Sequence, residues 1–119
     1  ILVIDDDWIN RELMQTGLKR AGYAVQTCST GERGLQVVAE TPPNMVIVDL
    51  RLGDMSGLDV VERIRALPCR RLPIVVMSAL EGDQVRQEAL AAGSDLFISK
   101  IFAVNELIDQ LSELLLSAP

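Results

Sequence analysis

Five short apolar runs punctuate the chain: Ile1–Ile4, Ala24–Cys28, Met45–Val48, Ile74–Met77 and Leu96–Ser99. Most are continuous rather than alternating, the pattern of strands buried on both faces. Helical spacing fills the intervals. Ile9, Leu13, Gly17, Leu18 and Ala21 share one helical face, with Gly22 as a stop signal. Ser29 and Glu32 have the spacing of a capping box ahead of Leu35, Val38 and Ala39. Leu58, Val61 and Ile64 predict a third helix. Val85, Ala89, Leu90 and Ala92 predict a fourth, ending at Gly93. Val104, Leu107, Ile108, Leu111, Leu114 and Leu115 predict a fifth.

Strands alternating with helices imply an α/β fold: a five-stranded parallel sheet with helices on both faces. Right-handed crossovers leave few arrangements, and a flavodoxin-like (βα)5 order of 2-1-3-4-5 is expected. Its ligand crevice lies beyond the carboxyl ends of the first and third strands. A length of 119 residues fits one domain, 1–119. The chain opens on Ile1 rather than Met, so the domain is expected to be trimmed or excised from a longer protein.

Composition narrows the chemistry. The net charge of −6, with basic residues scattered apart from Arg70 and Arg71, argues against direct nucleic-acid binding. No apolar run approaches the roughly 18–20 residues that cross a bilayer, so no membrane role and a cytoplasmic location are expected. Cys28 and Cys69 have no metal or redox spacing and are expected to be free thiols. Histidine is absent, which removes imidazole catalysis and phosphohistidine from the chain.

The polar residues at the strand ends carry the candidate chemistry. The first run ends in Asp5-Asp6-Asp7, the third in Asp49, the fourth in Ser78 and the fifth in Lys100. A parallel sheet puts all of these on one edge, and Asp5, Asp6 and Asp49 converge if strands one and three are neighbours. Such carboxylates repel one another and either hold protons or recruit a hard cation, with Mg2+ favoured at a shallow, watery site. An aspartate beside such a cation is a competent nucleophile for phosphoryl transfer, with Lys100 and Ser78 supplying charge and a hydrogen bond. Asp7 reads as a helix N-cap. Trp8 is expected either to cover the pocket or to pack on the sheet edge.

At these residues the sequence resembles the response-regulator receiver domains of two-component signalling, over essentially the whole chain. ILVIDDD resembles the first strand with its acidic pair, and IVDLRLGDMSGLDV the acceptor strand and loop, with Gly57 at the usual glycine. IVVMSAL resembles the fourth strand with its hydroxyl residue, and AAGSDLFISKIF the fifth with its lysine. The resemblance implies that Asp6 binds Mg2+ directly, Asp5 helps through water, Asp49 binds the metal and accepts the phosphoryl group, and the Arg51 carbonyl completes the metal site. It further implies that Ser78 moves toward the phosphoryl group while Phe97 rotates inward as the switch aromatic. The surface formed by the fourth helix, fifth strand and fifth helix then changes, and it is also an expected homodimer face. The implied donor is a sensor histidine kinase or phosphotransfer protein, and the implied readout a fused output domain. The domain is not a conventional enzyme, but catalyses its own phosphorylation and dephosphorylation. Where the family has Lys-Pro, Ile101 follows Lys100. A cis bond without proline costs about 3–4 kcal/mol, so that bond is either trans with a shifted loop or strained.

Two other readings stay open at this level. Ile101 is also consistent with a receiver-like binding module that works without phosphorylation. Asp5-x-Asp7 after an apolar strand resembles the first motif of haloacid-dehalogenase-type phosphatases, with Asp5 as nucleophile, although only Asp109 and helical glutamates follow Lys100.

Overall fold

In the computed structural model, residues 1–68, 71–79, 82–100 and 104–117 are described, the side chains of the last helix over 107–114. Five strands and five helices alternate: β1 (Leu2–Ile4), α1 (Trp8–Arg20), β2 (Gln26–Cys28), α2 (Gly31–Glu40), β3 (Val46–Asp49), α3 (Gly57–Ala66), β4 (Ile74–Ser78), α4 (Asp83–Ala92), β5 (Leu96–Ser99) and α5 (Val104–Ser117). The sheet order is β2-β1-β3-β4-β5, and every pairing is parallel. The predicted architecture holds in full.

The continuous apolar runs serve two cores. Val3, Ile47, Val75, Met77 and Ile98 face Met14 and Leu18 of α1 and Leu107 and Leu111 of α5. Their neighbours Leu2, Ile4, Val46, Val48, Val76 and Phe97 face α2, α3 and α4. Successive strand residues point to opposite faces, so burial on both sides requires apolar residues at every position.

Two local expectations are corrected. The buried stripe of α1 is Met14 and Leu18, whereas Ile9 and Leu13 are 63% and 60% exposed. Trp8 is 65% exposed and so is not packed down on the sheet edge. The cap of α2 also differs from the Ser29–Glu32 box. Thr30 is the N-cap and accepts from the Arg33 N–H at 3.1 Å. Asp54, from the loop after β3, accepts the Gly31 and Glu32 N–H groups, each at 3.0 Å. The loop beside the strand ends is thereby tied to a neighbouring helix. At the opposite end of the sheet, Arg65 donates to the carbonyls of Gly93 and Leu72 and pairs with Asp95, which also takes the Ile74 N–H and Arg71. Gly93 closes α4 at φ 118°, a left-handed conformation that glycine adopts without strain. The Lys100–Ile101 bond and Cys69 lie outside the described residues; Cys28 is a free, buried thiol. Among the described residues, no helix is long and apolar enough to cross a membrane.

The hydrogen bonds from Gly31 and then Glu32 hold the Asp54 carboxyl below its ordinary pKa. A depressed folded pKa gives stability that is complete above the unfolded value and lost as pH falls through the folded one. Asp54→Ala should therefore lower the melting temperature by about 4 °C at neutral pH, for about 1 kcal/mol of lost capping. In a pH series of thermal melts, the gap to the parent should begin to narrow near pH 4 and close only as the pH falls through the lower folded value.

Candidate phosphoacceptor site

The carboxyl ends of β1, β3, β4 and β5 form one edge, and backbone hydrogen bonds fix their relative heights. The Asp5 N–H donates to the Cys28 carbonyl at 3.0 Å, the Leu50 N–H to Met77 at 2.8 Å, and the Lys100 N–H to Ser78 at 2.8 Å. Asp49 ends β3 opposite Met77, and Ser78 stands opposite Ser99. After Asp49 the chain doubles back: the Gly57 N–H donates to the Leu50 carbonyl at 2.7 Å. A Cβ at Gly57 would lie 2.2 Å from the Asp49 carbonyl oxygen, so only glycine permits α3 to start this close to β3.

Asp5, Asp6 and Asp49 converge as expected, each offering a carboxylate oxygen within 4.8 Å of the others. Asp5 is fully buried, Asp49 nearly so, and Asp6 is exposed. Lys100 joins the cluster, its Nζ 3.0 Å from Asp49 Oδ2 and 3.2 Å from Asp5 Oδ2. Ser78 is buried at the same edge. Arg51 lies in the loop just beyond Asp49, its side chain exposed, its backbone hydrogen-bonded to the Asp49 carboxylate and bridged to Ser56. Phe97 is not part of the cluster. It is already buried in the core beneath α4, with the Arg86 guanidinium 5.7 Å above its ring. Asp7 caps α1 through the Ile9 N–H at 3.0 Å, which occupies it as a structural group.

Burial raises the Asp49 pKa. The Lys100 hydrogen bond opposes the rise, but the nearby charge of Asp5 adds to it, and the balance stays upward. Lys100 is also raised, because its hydrogen bond and attraction to Asp49, with Asp5 adding, outweigh its own burial. The two shifts agree once Asp5 is counted: the lysine is shared, and one ammonium does not neutralise three carboxylates. A set of hard oxygen donors with surplus negative charge fits a divalent cation such as Mg2+.

Sequence reasoning missed Asn10, whose side-chain amide donates to Asp5 Oδ2, and Arg11, whose Nη1 donates to the Asp5 carbonyl at 2.8 Å. The available signal was their position in the first turn of a helix starting at the strand end.

The receiver domain model of response regulators matches residues 1–112. The chain belongs to the response regulator receiver family. It is 39% identical over 111 residues to the transcriptional regulatory protein KdpE of Mycobacterium tuberculosis, covering 93% of this chain and 48% of that protein. The response regulator MprA of Mycolicibacterium vanbaalenii is 34% identical over 115 residues, covering 97% and 49%. The receiver chain thus spans about half the length of these curated relatives. A putative response regulator from Chloroflexus aurantiacus superposes with a TM-score of 0.91 at 28% identity, covering 97% and 95%. A Burkholderia pseudomallei response regulator, solved with a phosphorylated aspartic acid, a calcium ion and citrate, gives 0.80 at 25% identity, covering 98% and 73%.

Gly57→Ala should lower the unfolding free energy by about 2–3 kcal/mol, the cost of overpacking a rigid contact. Urea denaturation of the two proteins measures it.

Proposed function

We propose that this receiver domain is a phosphorylation switch whose acceptor is Asp49. The observation that carries this reading is the buried Asp49 carboxylate, 3.0 Å from Lys100 Nζ and converging with Asp5 and Asp6. The phosphorylated aspartic acid in the Burkholderia relative supports it. Bound Mg2+, held by Asp5, Asp6, Asp49 and the Arg51 carbonyl, would offset the repulsion between these carboxylates and an incoming phosphoryl group.

A carboxylate oxygen of Asp49 attacks phosphorus in line. The O–P bond forms as the P–N bond to a donor imidazole breaks, and the departing nitrogen keeps the electron pair and takes a proton. Lys100 balances charge on the transferred group, and the Ser78 hydroxyl donates to one of its oxygens. Hydrolysis by water returns the carboxylate and inorganic phosphate. The domain is thus a self-modifying switch rather than a conventional enzyme. Because Phe97 is already buried under Arg86, the switch would act by shifting populations of the Ser78–Phe97–Arg86 region and hence of α4. The altered α4–β5–α5 face would be read by an output domain on the same chain or by a second copy.

The Lys100 ammonium, 3.0 Å from Asp49, supports the phosphorylation-dependent reading over a phosphorylation-independent module. The donor would be a cytoplasmic histidine kinase or phosphotransfer protein. Ile9 and Leu13, one helical turn apart, and Trp8 form an exposed apolar stripe beside Asp6 and fit a helical partner presenting its phosphohistidine to Asp49.

Incubation with Mg2+ and acetyl phosphate should add one phosphoryl group by intact mass. The gain should be lost with EDTA and with Asp49→Asn. Absence of a gain from both acetyl phosphate and a cognate phosphohistidine donor would overturn the proposal. Separately, Ile9→Glu with Leu13→Glu should slow transfer from the phosphohistidine partner at least about tenfold, about 1.4 kcal/mol, while leaving acetyl phosphate labelling intact. Equal slowing with both donors would place the defect in the pocket rather than in docking.

A further inference from the structure

Asn10 stands at the third position of α1, and the transfer step above gives it no part. Its Nδ2 donates to Asp5 Oδ2, the same oxygen that Lys100 Nζ reaches at 3.2 Å. The other Asp5 oxygen accepts the Asp7 N–H at 2.9 Å, and Arg11 fixes the Asp5 backbone carbonyl. Asp5 has no solvent exposure, so protein groups must satisfy it. Lys100 is divided between Asp5 and Asp49. A lysine that balances charge on a phosphoryl group at Asp49 has to loosen its hold on Asp5. A buried carboxylate stripped of one partner would turn toward another unless a second donor stays in place.

We propose that Asn10 is a positioning residue that keeps Asp5 oriented for the metal while Lys100 is drawn to the phosphoryl group. Two donors on one oxygen allow one to leave without the carboxylate moving. The amide suits this task, because it adds no charge to the site and its donor points inward from a helix anchored by Asp7. The inference rests on the reading of Asp49 as acceptor and of the three carboxylates as a Mg2+ site.

The test compares the parent with Asn10→Leu, which keeps the size and removes the donor, and Asn10→Gln, which retains a donor. Mg2+ binding is measured by calorimetry, and Asp49 labelling by acetyl phosphate is followed as a function of Mg2+. Asn10→Leu should weaken Mg2+ binding about tenfold, about 1.4 kcal/mol. The half-saturating Mg2+ for labelling should rise by the same factor, with the effect on that midpoint rather than on the plateau. Asn10→Gln should recover most of the loss. If Asn10→Leu does not melt cooperatively, Asn10→Ala carries the same comparison. A Mg2+ affinity within twofold of the parent in the donor-less variant, or equal losses in Leu and Gln, overturns the inference and leaves the acceptor reading standing. A parent that neither binds Mg2+ nor becomes labelled overturns both.

Discussion

One ammonium shared by two buried carboxylates is the constraint on which this structure depends. Lys100 leaves an edge strand, passes the end of β4 and reaches Asp49 on β3 and Asp5 on β1. That span requires the long, flexible stem of lysine. It also requires the strand ends to lie at matched heights, which the parallel ladder and the Lys100-to-Ser78 hydrogen bond provide. Without the ammonium, Asp5 and Asp49 would face each other across a desolvated gap with their charges unopposed. With it, the repulsion is eased, while the three carboxylates still outnumber the one ammonium. The electrostatic tension at the site therefore arises from the topology, since this strand order puts β1 beside β3.

Much of this was legible in the sequence, for identifiable reasons. Strands covered on both faces need unbroken apolar runs, so β1, β3 and β4 announce themselves. A polar residue ending such a run has few roles, and this drew Asp5, Asp49, Ser78 and Lys100 together. The amphipathic logic failed at α1 because Trp8, Ile9 and Leu13 are apolar yet exposed, and their helical spacing imitates a core stripe. The capping of α2 was misread by one residue because part of it comes from Asp54, 22 and 23 positions away from the groups it satisfies. Periodicity reports neighbours along a helix and is blind to such contacts. Asn10 was missed for a related reason: an asparagine in a first turn gives no pattern until the strand end beside it is known.

The two ends of the sheet do different work. At the amino ends of the strands, Arg65 gathers the Gly93 and Leu72 carbonyls and Asp95, which in turn holds Arg71 and the Ile74 N–H. These groups satisfy one another and tie α3 to the segments that lead into β4 and β5. At the carboxyl ends the polar groups are crowded and incompletely balanced. A charge-satisfied base under a charge-frustrated rim confines reactivity to one edge without loosening the fold beneath it.

The position of each strand in the sheet adds a mechanical consequence. β3 is clamped by a ladder on each side, whereas β5 is paired on one side only. Asp49 therefore rides on a stiff support and Lys100 on a compliant one. Any force developed between them is taken up as displacement at the β5 border, where α4 and α5 meet the surroundings, while the centre of the sheet stays still. Of the two edge strands, β2 and β5, only β5 leads into a member of the charged cluster, so the sheet resembles an anvil sprung on the side of Lys100.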